Sequence, residues 1–371
     1  MVRFIVCGDY RAQKPEIIHL DKEVESLLTS ADFNICNFEA PIVPEGAMPI
    51  KKSGPALSQS RESARFLKKN GFKVFLLANN HVMDYGEIGL NSTINSLQGS
   101  MVVGAGSSQD AYAARYFETG GMRLGFISLV HHEYGVVEGV DAKGVGAAWL
   151  CSPDVQSVIS NARGKCDYLF VFPHAGVEHT VAPLYEWRRL YKKFIDWGAD
   201  AVVACHPHCP QGWESYKEKP IYYSLGNFYF DGLSHDSLWY KSIAIEFCID
   251  NNISSKEHFL CFDDKTGKIS LDQSEDIKEY IEYANSLLKN EKEYNDYLDK
   301  TCSTLWPDIK YGLLRGLCGV SLKVRPKWII RLLGGVVLGN SNELYLQNAL
   351  QCESHRWVLE RYLRNRINKS K

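Results

Sequence analysis

The chain has 371 residues, enough for one large domain with an appendage or for two domains. Apolar residues make up 45% of it and charged residues 23%, a balance that permits a sizeable core and argues against global disorder. The formal net charge of −2 provides no basic surplus, so no nucleic-acid partner is expected.

The cysteines and the N-terminal residues bear on the compartment. Eleven cysteines are scattered along the chain without a Cys-x-x-Cys pair, which disfavours a zinc ribbon or a disulfide framework. The first residues lack the long apolar segment of a signal peptide, and no apolar run reaches the ~18–20 residues that span a bilayer. We therefore expect a cytoplasmic protein with free thiols.

Apolar runs of strand length recur through the first 130 residues, and segments with helical spacing lie between them. The predicted strands cover residues 4–7, 31–38, 72–78 and 124–130. The predicted helices cover residues 19–29, 61–69 and 89–97. This alternation indicates an α/β fold.

Polar residues with no evident packing role follow three of these strands. Asp9 comes after the first strand, Glu39 after the second, and Asn79, Asn80 and His81 after the third. Buried amide and imidazole groups are costly unless they are paired. Taken singly, Asp9 and Glu39 also fit ordinary turn residues, and an Asx turn with a helix cap would explain one asparagine.

Two adjacent histidines follow the strand at residues 124–130. On an extended chain their side chains point in opposite directions, so at most one of them faces a given site. We therefore interpret His131 and His132 as rim or specificity residues rather than as metal ligands.

The arrangement of strands with polar ends continues after residue 160. Strands are predicted at residues 167–172, 201–204, 221–225 and 242–249. His174 follows the first of these strands, and His206 and His208 follow the second. Two histidines one residue apart can bind one metal ion, although this pair also fits ordinary loop histidines.

In open α/β sheets, reactive groups gather at the carboxyl ends of the strands. We therefore expect the strand-end side chains to converge on one coordination sphere or on two adjoining ones. The expected ligands are Asp9, Glu39, Asn80, His174, His206 and His208. Two acids, an amide and several imidazoles suit Mn²⁺, Fe or Zn²⁺ in a dinuclear hydrolytic site with a bridging carboxylate.

The character of the sequence changes near residue 250, and we place a boundary there between a domain of residues 1–250 and a helical region of residues 251–371. This second region carries no catalytic motif, so we expect it to attach the protein to something else. Its apolar segment at residues 328–338 is too short to span a bilayer. The segment fits either a buried core helix or a helix that docks on a membrane surface or a synthase partner.

The motifs, taken together and in order, resemble those of the calcineurin-like metallophosphoesterase superfamily. They resemble more closely its CapA branch, the poly-γ-glutamate and capsule synthesis proteins. The resemblance covers about residues 3–235, roughly two-thirds of the chain. The matching motifs are Gly8-Asp9, Asn37-Phe38-Glu39, Asn79-Asn80-His81 with Asp84 and Gly86, His174-Ala175-Gly176-Val177-Glu178, Gly198-Ala199-Asp200, His206-Pro207-His208 with Gln211, and Tyr223-Ser224-Leu225-Gly226-Asn227-Phe228.

The resemblance implies a four-layer sandwich of two mixed sheets flanked by helices, with a C-terminal helical appendage. It implies that the six expected ligands hold one or two divalent ions, Mn, Fe or Zn. It makes His81 and Asp84 catalytic residues, with His81 able to protonate a leaving group. It also implies substrate contacts from Asn79, Glu178, Gln211 and Asn227.

The sequence departs from the wider superfamily at two ligand positions. Arg11 stands two residues after Asp9, where the superfamily has a histidine, and Glu39 stands where it has a bridging aspartate. Arginine stays protonated and cannot ligate a cation. We therefore expect one tightly held metal and a weak or absent second one, with Arg11 paired with Asp9 or turned as a catalytic residue toward an anionic substrate. The alternative is that Arg11 lies in solvent and that a neighbour such as His208 completes the site.

Two functions remain open at this point. One is a metal-dependent hydrolase or transferase involved in capsule, poly-γ-glutamate or exopolysaccharide synthesis. Its substrate would be an anionic polymer or a phosphoester, and the bond that it cleaves would be a phosphoester or an amide. The other is a non-catalytic metal-binding or assembly subunit of a polymer synthesis or export complex. The substitution at Arg11 favours the second function, whereas the intact Asn80-His81 and His206/His208 motifs favour the first.

Overall fold

The computed structural model describes residues 1–232, 234, 236–318 and 340–369. In chain order its strands are β1 (Val2–Arg11), β2 (His19–Leu20), β3 (Phe33–Phe38), β4 (Phe72–Leu76), β5 (Met101–Val103), β6 (Ala105–Ser107), β7 (Arg115–Thr119), β8 (Met122–Val130), β9 (Val136–Val137), β10 (Val145–Ala148), β11 (Tyr168–His174), β12 (Ala201–Val203), β13 (Trp213–Tyr216), β14 (Lys219–Tyr222), β15 (Asn227–Phe230), β16 (Lys241–Ile249), β17 (Ile253–Asp263) and β18 (Lys268–Leu271). Its α-helices are α1 (Lys22–Thr29), α2 (Arg61–Lys69), α3 (Gly86–Ser96), α4 (Ser108–Tyr112), α5 (Val155–Arg163), α6 (Tyr185–Asp196), α7 (Glu275–Lys289), α8 (Glu291–Cys318), α9 (Asn340–Gln351) and α10 (Glu353–Lys369). Short 3₁₀ helices lie at Pro15–Ile17 and Ser237–Tyr240.

Two sheets form the body of the described fold. Sheet 1 has the strand order β2-β18-β17-β16-β1-β3-β4-β5, and β15 pairs with the C-terminal part of β1. Sheet 2 has the order β13-β14-β12-β11-β8-β7, and a small third sheet joins β6, β10 and β9. The strands β1, β3 and β4 run parallel in sheet 1, as β8, β11 and β12 do in sheet 2. The carboxyl ends of parallel strands share one edge, so the residues that follow them can meet there.

The two sheets pack face to face through an apolar core that is rich in phenylalanine. Phe4 of β1 stacks on Phe33 of β3 with ring centroids 4.9 Å apart, and it meets Phe170 of β11 edge-on at 5.2 Å. Helices α1, α2 and α3 contribute to the core on the outer face of sheet 1, and α5 and α6 do so on sheet 2. The four-layer sandwich expected from the sequence is therefore confirmed.

Helices α7, α8 and α10 of the C-terminal region contribute residues to the core on the sheet 2 side of the sandwich. Trp357 of α10 packs on Trp187 of α6 with ring centroids 4.1 Å apart. Tyr294 of α8 is buried, and its hydroxyl donates to the carbonyl of Pro183 at 2.8 Å. The expected C-terminal helices are therefore present, and they share an apolar core with the second sheet.

Two strands that the sequence analysis did not predict lie beyond residue 250. Strand β17 pairs antiparallel with β16 and β18 pairs with β17, so both extend sheet 1. The helical part of the C-terminal region begins only at α7. The division of the chain into residues 1–250 and 251–371 stays a prediction.

The apolar segment at residues 328–338 lies outside the described residues. Within the described ranges, no helix has both the length and the apolar character needed to cross a membrane. Docking of this segment on a membrane surface or on a synthase stays a prediction.

The end of β1 depends on a close approach between two backbone segments. The amide of Asp9 donates to the carbonyl of Gly226 at 2.9 Å, and β1 changes register between Cys7 and Asp9. A Cβ atom on Gly8 would lie 1.9 Å from the carbonyl oxygen of Gly226, so a larger residue does not fit. Gly226 has a φ of +69°, a left-handed conformation that favours glycine. The two glycines thus determine where Asp9 leaves the sheet.

We expect Gly8→Ala to lower the free energy of unfolding by about 3 kcal/mol or more, because the added methyl group overlaps a backbone carbonyl. Urea unfolding followed by circular dichroism measures this change. Gly164→Ala is the matched control, since Gly164 has a right-handed helical conformation and its nearest neighbour would lie 3.8 Å from an added Cβ. Equal stability of the two variants would contradict the close approach at Gly8.

Candidate metal centre

The side chains that the sequence marks as ligands lie at one edge of the sandwich, where strand ends from both sheets meet. Sheet 1 supplies two acids and an amide, and sheet 2 supplies three imidazoles. These buried residues are Asp9, Glu39, Asn80, His174, His206 and His208. The structure thus brings all six together from segments that are far apart in the sequence.

One group of ligand atoms surrounds Nε2 of His174. Oδ1 of Asn80 lies 3.0 Å from it, Nδ1 of His206 lies 3.2 Å from it, and Oε1 of Glu39 lies 3.7 Å from it. Neighbouring ligands of one ion with bonds of about 2.1 Å are about 3.0–3.4 Å apart in octahedral or tetrahedral geometry. These four atoms can therefore hold one divalent ion after small movements.

A second group lies around His208. Its Nε2 is 3.7 Å from Oε1 of Glu39, and its Nδ1 is 3.6 Å from Oδ2 of Asp9. Nδ1 is also 2.9 Å from Oδ1 of Asn227, and donation to this oxygen leaves Nε2 as the ligand nitrogen. This group has fewer ligands than the first one, since Arg11 stands where the superfamily resemblance implies a histidine.

Glu39 belongs to both groups. Its Oε1 lies 3.7 Å from Nε2 of His174 and 3.7 Å from Nε2 of His208. This oxygen is buried and has no hydrogen-bond partner among the described residues. An unpaired buried carboxylate oxygen is costly, and a divalent cation is the partner that its nitrogen-rich surroundings suit. The residues present therefore fit a metal centre, and Glu39 lies between the two groups of candidate ligands.

Other groups hold the carboxylate of Asp9 in place. Nδ2 of Asn37 donates to Oδ1 of Asp9 at 2.7 Å, and Nδ2 of Asn79 approaches Oδ1 of Asn37 at 3.3 Å. The amide of His206 donates to Oδ2 of Asp9 at 3.1 Å, and this requires a φ of +103° at His206. Such backbone conformations are strained in non-glycine residues and persist where the surroundings enforce them. Asn37 belongs to the motif Asn37-Phe38-Glu39 quoted in the sequence analysis, but it was not among the predicted site residues.

His81 lies in a buried network of charged groups. Its Nδ1 is 2.6 Å from Oδ2 of Asp84, which also accepts the amide of Leu57 at 2.6 Å. Lys52 forms a buried ion pair with Asp84, and its Nζ lies 3.3 Å from Nδ1 of His81. The sequence analysis did not identify Lys52, because it comes from a loop with no periodic pattern.

Arg11 does not pair with Asp9. Its Nη1 forms an ion pair with the carboxylate of Asp231 and donates to the carbonyl of Asp231 at 2.8 Å, while its Nε donates to the carbonyl of Ser58 at 3.0 Å. The expected pairing with Asp9 is therefore wrong. The physical reason is that β15 runs parallel to β1 and pairs Phe230 with Arg11, which brings Asp231 to the guanidinium. A catalytic role for Arg11 stays a prediction.

The residues expected to contact the substrate differ in their surroundings. Asn79 and Asn227 are buried and bond to the ligand-holding residues described above. Gln211 is buried as well, and its Nε2 donates to the carbonyl of Thr180 at 2.8 Å. Glu178 is exposed, and its carboxylate lies within 4.8 Å of the ligand atoms of His206 and His208. Substrate binding by these residues stays a prediction, and the contacts of the three amides are those of positioning groups.

A cleft of about 910 Å³ opens over the centre. The ligands His206 and His208 line it together with His81, Glu178 and Lys52. The C-terminal helices and the junction between α9 and α10 also line it, through Leu305, Asp308, Ile309, Asn348, Ala349, Cys352, Ser354, His355 and Val358. The sequence analysis placed no site residue in this region, because these side chains are scattered over helices and form no motif.

Comparison with known proteins identifies the family. Residues 9–232 match the family described as bacterial capsule synthesis protein PGA_cap. The chain belongs to this family. The resemblance stated from the motifs is thereby confirmed, and the matched segment contains all six candidate ligands.

Two relatives in this family come from Bacillus. The capsule biosynthesis protein CapA of Bacillus anthracis is 33% identical over 220 residues, which are 57% of this chain and 53% of that protein. The PGA biosynthesis protein CapA of Bacillus subtilis (strain 168) is 32% identical over 221 residues, 56% of each chain. The chain therefore spans about half the length of these two relatives.

Solved structures resemble this PGA_cap chain more distantly. The NAD nucleotidase NadN of Haemophilus influenzae is 13% identical with a TM-score of 0.38, and the match covers 76% of this chain and 55% of that one. The sulfate thiohydrolase SoxB of Thermus thermophilus is 10% identical with a TM-score of 0.41, over 76% of this chain and 60% of that one. Similarity of this size says nothing about a shared activity.

Burial controls the protonation of the candidate ligands. Burial raises the pKa of Asp9. It raises the pKa of Glu39 well above its usual range, and repulsion from Asp9 raises the pKa of Glu39 further. Burial also lowers the pKa of His208 and lowers the pKa values of His174 and His206 well below the usual value. The imidazoles are therefore neutral and ready to ligate, whereas a metal ion must displace a proton from a carboxyl group.

We expect metal binding to release protons and to tighten as the pH rises, because the two acids have raised pKa values and the histidines are already neutral. Calorimetric titration of Mn²⁺ into the metal-free protein, in buffers of different ionisation enthalpy, measures the number of protons released. Glu39→Gln carries no titrating group at this position and should release fewer protons and bind Mn²⁺ more weakly. Affinity that stays constant from about pH 5 to 8 would contradict this prediction.

Proposed function

We propose that this chain is a metal-dependent hydrolase or transferase of capsule, poly-γ-glutamate or exopolysaccharide synthesis that acts on a phosphoester or an amide bond. The observation that supports the proposal is Oε1 of Glu39, which lies between the imidazoles of His174 and His208 and has no hydrogen-bond partner among the described residues. The names of the two Bacillus relatives connect the family with capsule and PGA biosynthesis. The polymer and the bond are part of the proposal, since about half of each relative is matched.

The metal centre is the source of the proposed reactivity. One or two divalent ions bound there would polarise the substrate and supply a hydroxide nucleophile at neutral pH. Glu39, Asn80, His174 and His206 would hold the tighter ion. Asp9 and His208 would share Glu39 for a weaker second ion.

His81 is placed to donate a proton to the leaving group. It lines the cleft, and Asp84 holds its Nδ1, which leaves Nε2 as the nitrogen that can exchange a proton with a bound substrate. Lys52 forms a buried ion pair with Asp84 and so helps to hold that carboxylate beside His81. In the proposed reaction, the proton on Nε2 of His81 passes to the oxygen or nitrogen of the broken bond.

The charges of the cleft bear on substrate binding. Arg11 and Lys52 line the described cleft, and each is already paired with a carboxylate, that of Asp231 or that of Asp84. An anionic polymer or phosphoester would therefore obtain its counter-charge mainly from the bound metal. A cytoplasmic location and a synthase or membrane-surface partner remain part of the proposal.

One observation favours a second function, that of a metal-binding assembly subunit without turnover. The guanidinium of Arg11 occupies the position of an expected imidazole and is engaged by Asp231 and Ser58. A centre with one tightly held ion could then serve to bind a polymer or a partner rather than to cleave a bond.

We expect His81→Ala to lower turnover of a generic phosphodiester by about 10²–10⁴-fold while the metal content stays unchanged, because the imidazole acts as an acid and not as a ligand. Steady-state kinetics and elemental analysis of the same preparation measure both quantities. His19→Ala is the control, since His19 is exposed on β2. Parallel loss of metal and turnover would make His81 a ligand, and absence of turnover in the metal-loaded native protein would favour the assembly subunit.

We expect the native protein to retain one metal ion per chain and Arg11→His to retain two, because the new imidazole offers a ligand two residues after Asp9, where the guanidinium cannot ligate a cation. Elemental analysis after dialysis against metal-free buffer gives the counts. Arg11→Gln removes the same charge without adding an imidazole, so it separates the two effects and should retain one ion. Two ions in the native protein, unchanged in both variants, would contradict the prediction.

A further inference from the structure

A second cluster of ligand-type side chains lies beside the metal centre and shares no residue with it. His131 and Glu133 follow β8, and Cys352 lies at the junction between α9 and α10. A ring nitrogen, a carboxylate oxygen and the thiol sulfur of these residues all lie within 4.8 Å of one another. The cluster therefore joins the end of a sheet 2 strand to the C-terminal helices.

His131, which the sequence analysis interpreted as a rim or specificity residue rather than a ligand, has a ring with one nitrogen bonded and one nitrogen free of any partner among the described residues. The side chain is buried, and its Nδ1 lies 3.3 Å from Oγ of Ser354. Its Nε2 is buried and has no hydrogen-bond partner among the described residues. Buried imidazole nitrogens are normally paired, so this one has an electron pair available for a ligand.

The three donor types together select among metals. Imidazole nitrogen, carboxylate oxygen and thiolate sulfur are the ligands that Zn²⁺ takes in proteins, and a sulfur ligand disfavours Mg²⁺, Ca²⁺ and Mn²⁺. The centre around Glu39 has no sulfur among its six candidate ligands. We propose that His131, Glu133 and Cys352 form a zinc site, and that this site links the C-terminal helices to the end of β8 in sheet 2.

The protein already holds the α9–α10 junction in the position that such a site requires. The carboxylate of Glu353 accepts two hydrogen bonds, one from the indole N–H of Trp149 at 3.0 Å and one from the backbone amide of His132 at 3.0 Å. Oγ of Ser354 also bonds to the carbonyl of Gly176. The neighbour of Cys352 is thus fixed on the same loop that carries His131.

Without a cation, the thiol of Cys352 stays protonated. Burial raises its pKa well above the usual range, and the nearby carboxylate of Glu133 raises it further. Zinc binding would form a sulfur–zinc bond, break the S–H bond and release the proton to solvent. Glu133, whose negative charge repels a thiolate, then becomes a ligand of the same ion.

The zinc site would also connect to the catalytic centre. Oε2 of Glu133 accepts a hydrogen bond from Nδ2 of Asn80 at 3.0 Å. At the other end of the same amide, Oδ1 of Asn80 lies 3.0 Å from Nε2 of His174. One amide therefore links the two ligand sets, with its nitrogen end toward one and its oxygen end toward the other. Zinc at the new site would fix the orientation of Asn80, because a carboxylate held by one ion orients the amide that it hydrogen-bonds.

Titration of the metal-free, full-length protein with Co²⁺ tests the site, because a cobalt–thiolate bond gives a near-ultraviolet charge-transfer band that nitrogen and oxygen ligands do not. We expect the band in the native protein and its loss in Cys352→Ser. Cys205→Ser is the matched control, since Cys205 is also buried and lies beside Asp9. A band that is absent from the native protein, or that persists in Cys352→Ser, would overturn the proposal.

X-ray absorption of the zinc-loaded native protein provides a test that does not depend on a variant folding. We expect a zinc–sulfur distance of about 2.3 Å, still present in Cys205→Ser. We also expect added Zn²⁺ to raise the melting temperature of the native protein more than that of Cys352→Ser. Zinc spectra without a sulfur shell would refute the site, whatever the protein's catalytic activity proves to be.

Discussion

Two buried carboxylates at the edge where the two sheets meet impose the main electrostatic constraint on this molecule. Asp9 and Glu39 are fully buried and approach the same imidazole, that of His208. Burial raises the pKa of both acids, and each would repel the other once both were ionised. A divalent cation between them converts this repulsion into attraction, whereas packing alone offers no reason to place two acids here. The donor set at this edge is therefore best explained by metal binding.

The backbone around the site is built to hold this unfavourable arrangement. The contact between Gly8 and Gly226 permits no side chain, and His206 adopts a φ of +103° so that its amide can reach Asp9. Such strain is tolerated because the flanking strands are buried on both faces, and the phenylalanine core between the sheets resists movement. Rigid strands thus present the candidate ligands, and the conformational cost falls on the few residues that turn toward the site.

The part of the site that lies at strand ends could be predicted, since each apolar run is followed directly by its polar residue. Asp9, Asn80 and His174 carry that local signal. The partner of Arg11 carries none, because Asp231 lies 220 residues away and meets it only through the pairing of β1 with β15. Strand β17 was missed for a related reason. Most of its residues are partly or fully exposed, so it lacks the apolar alternation that marks a buried strand.

The cleft combines two parts of the chain that the family comparison separates. All candidate ligands lie within residues 9–232, the segment that matches the family, whereas the wall formed by α8, α9 and α10 lies beyond it. That wall contributes side chains such as Asn348 and His355 to the cleft, which the candidate ligands His206 and His208 also line. Glu133 contacts both parts, because it accepts the amide of Asn80 and lies beside Asn348. The six candidate ligands around Glu39 and the C-terminal wall of the cleft therefore lie on different parts of the chain, so a change in side chains such as Asn348 or His355 would alter the cleft without altering those six ligands.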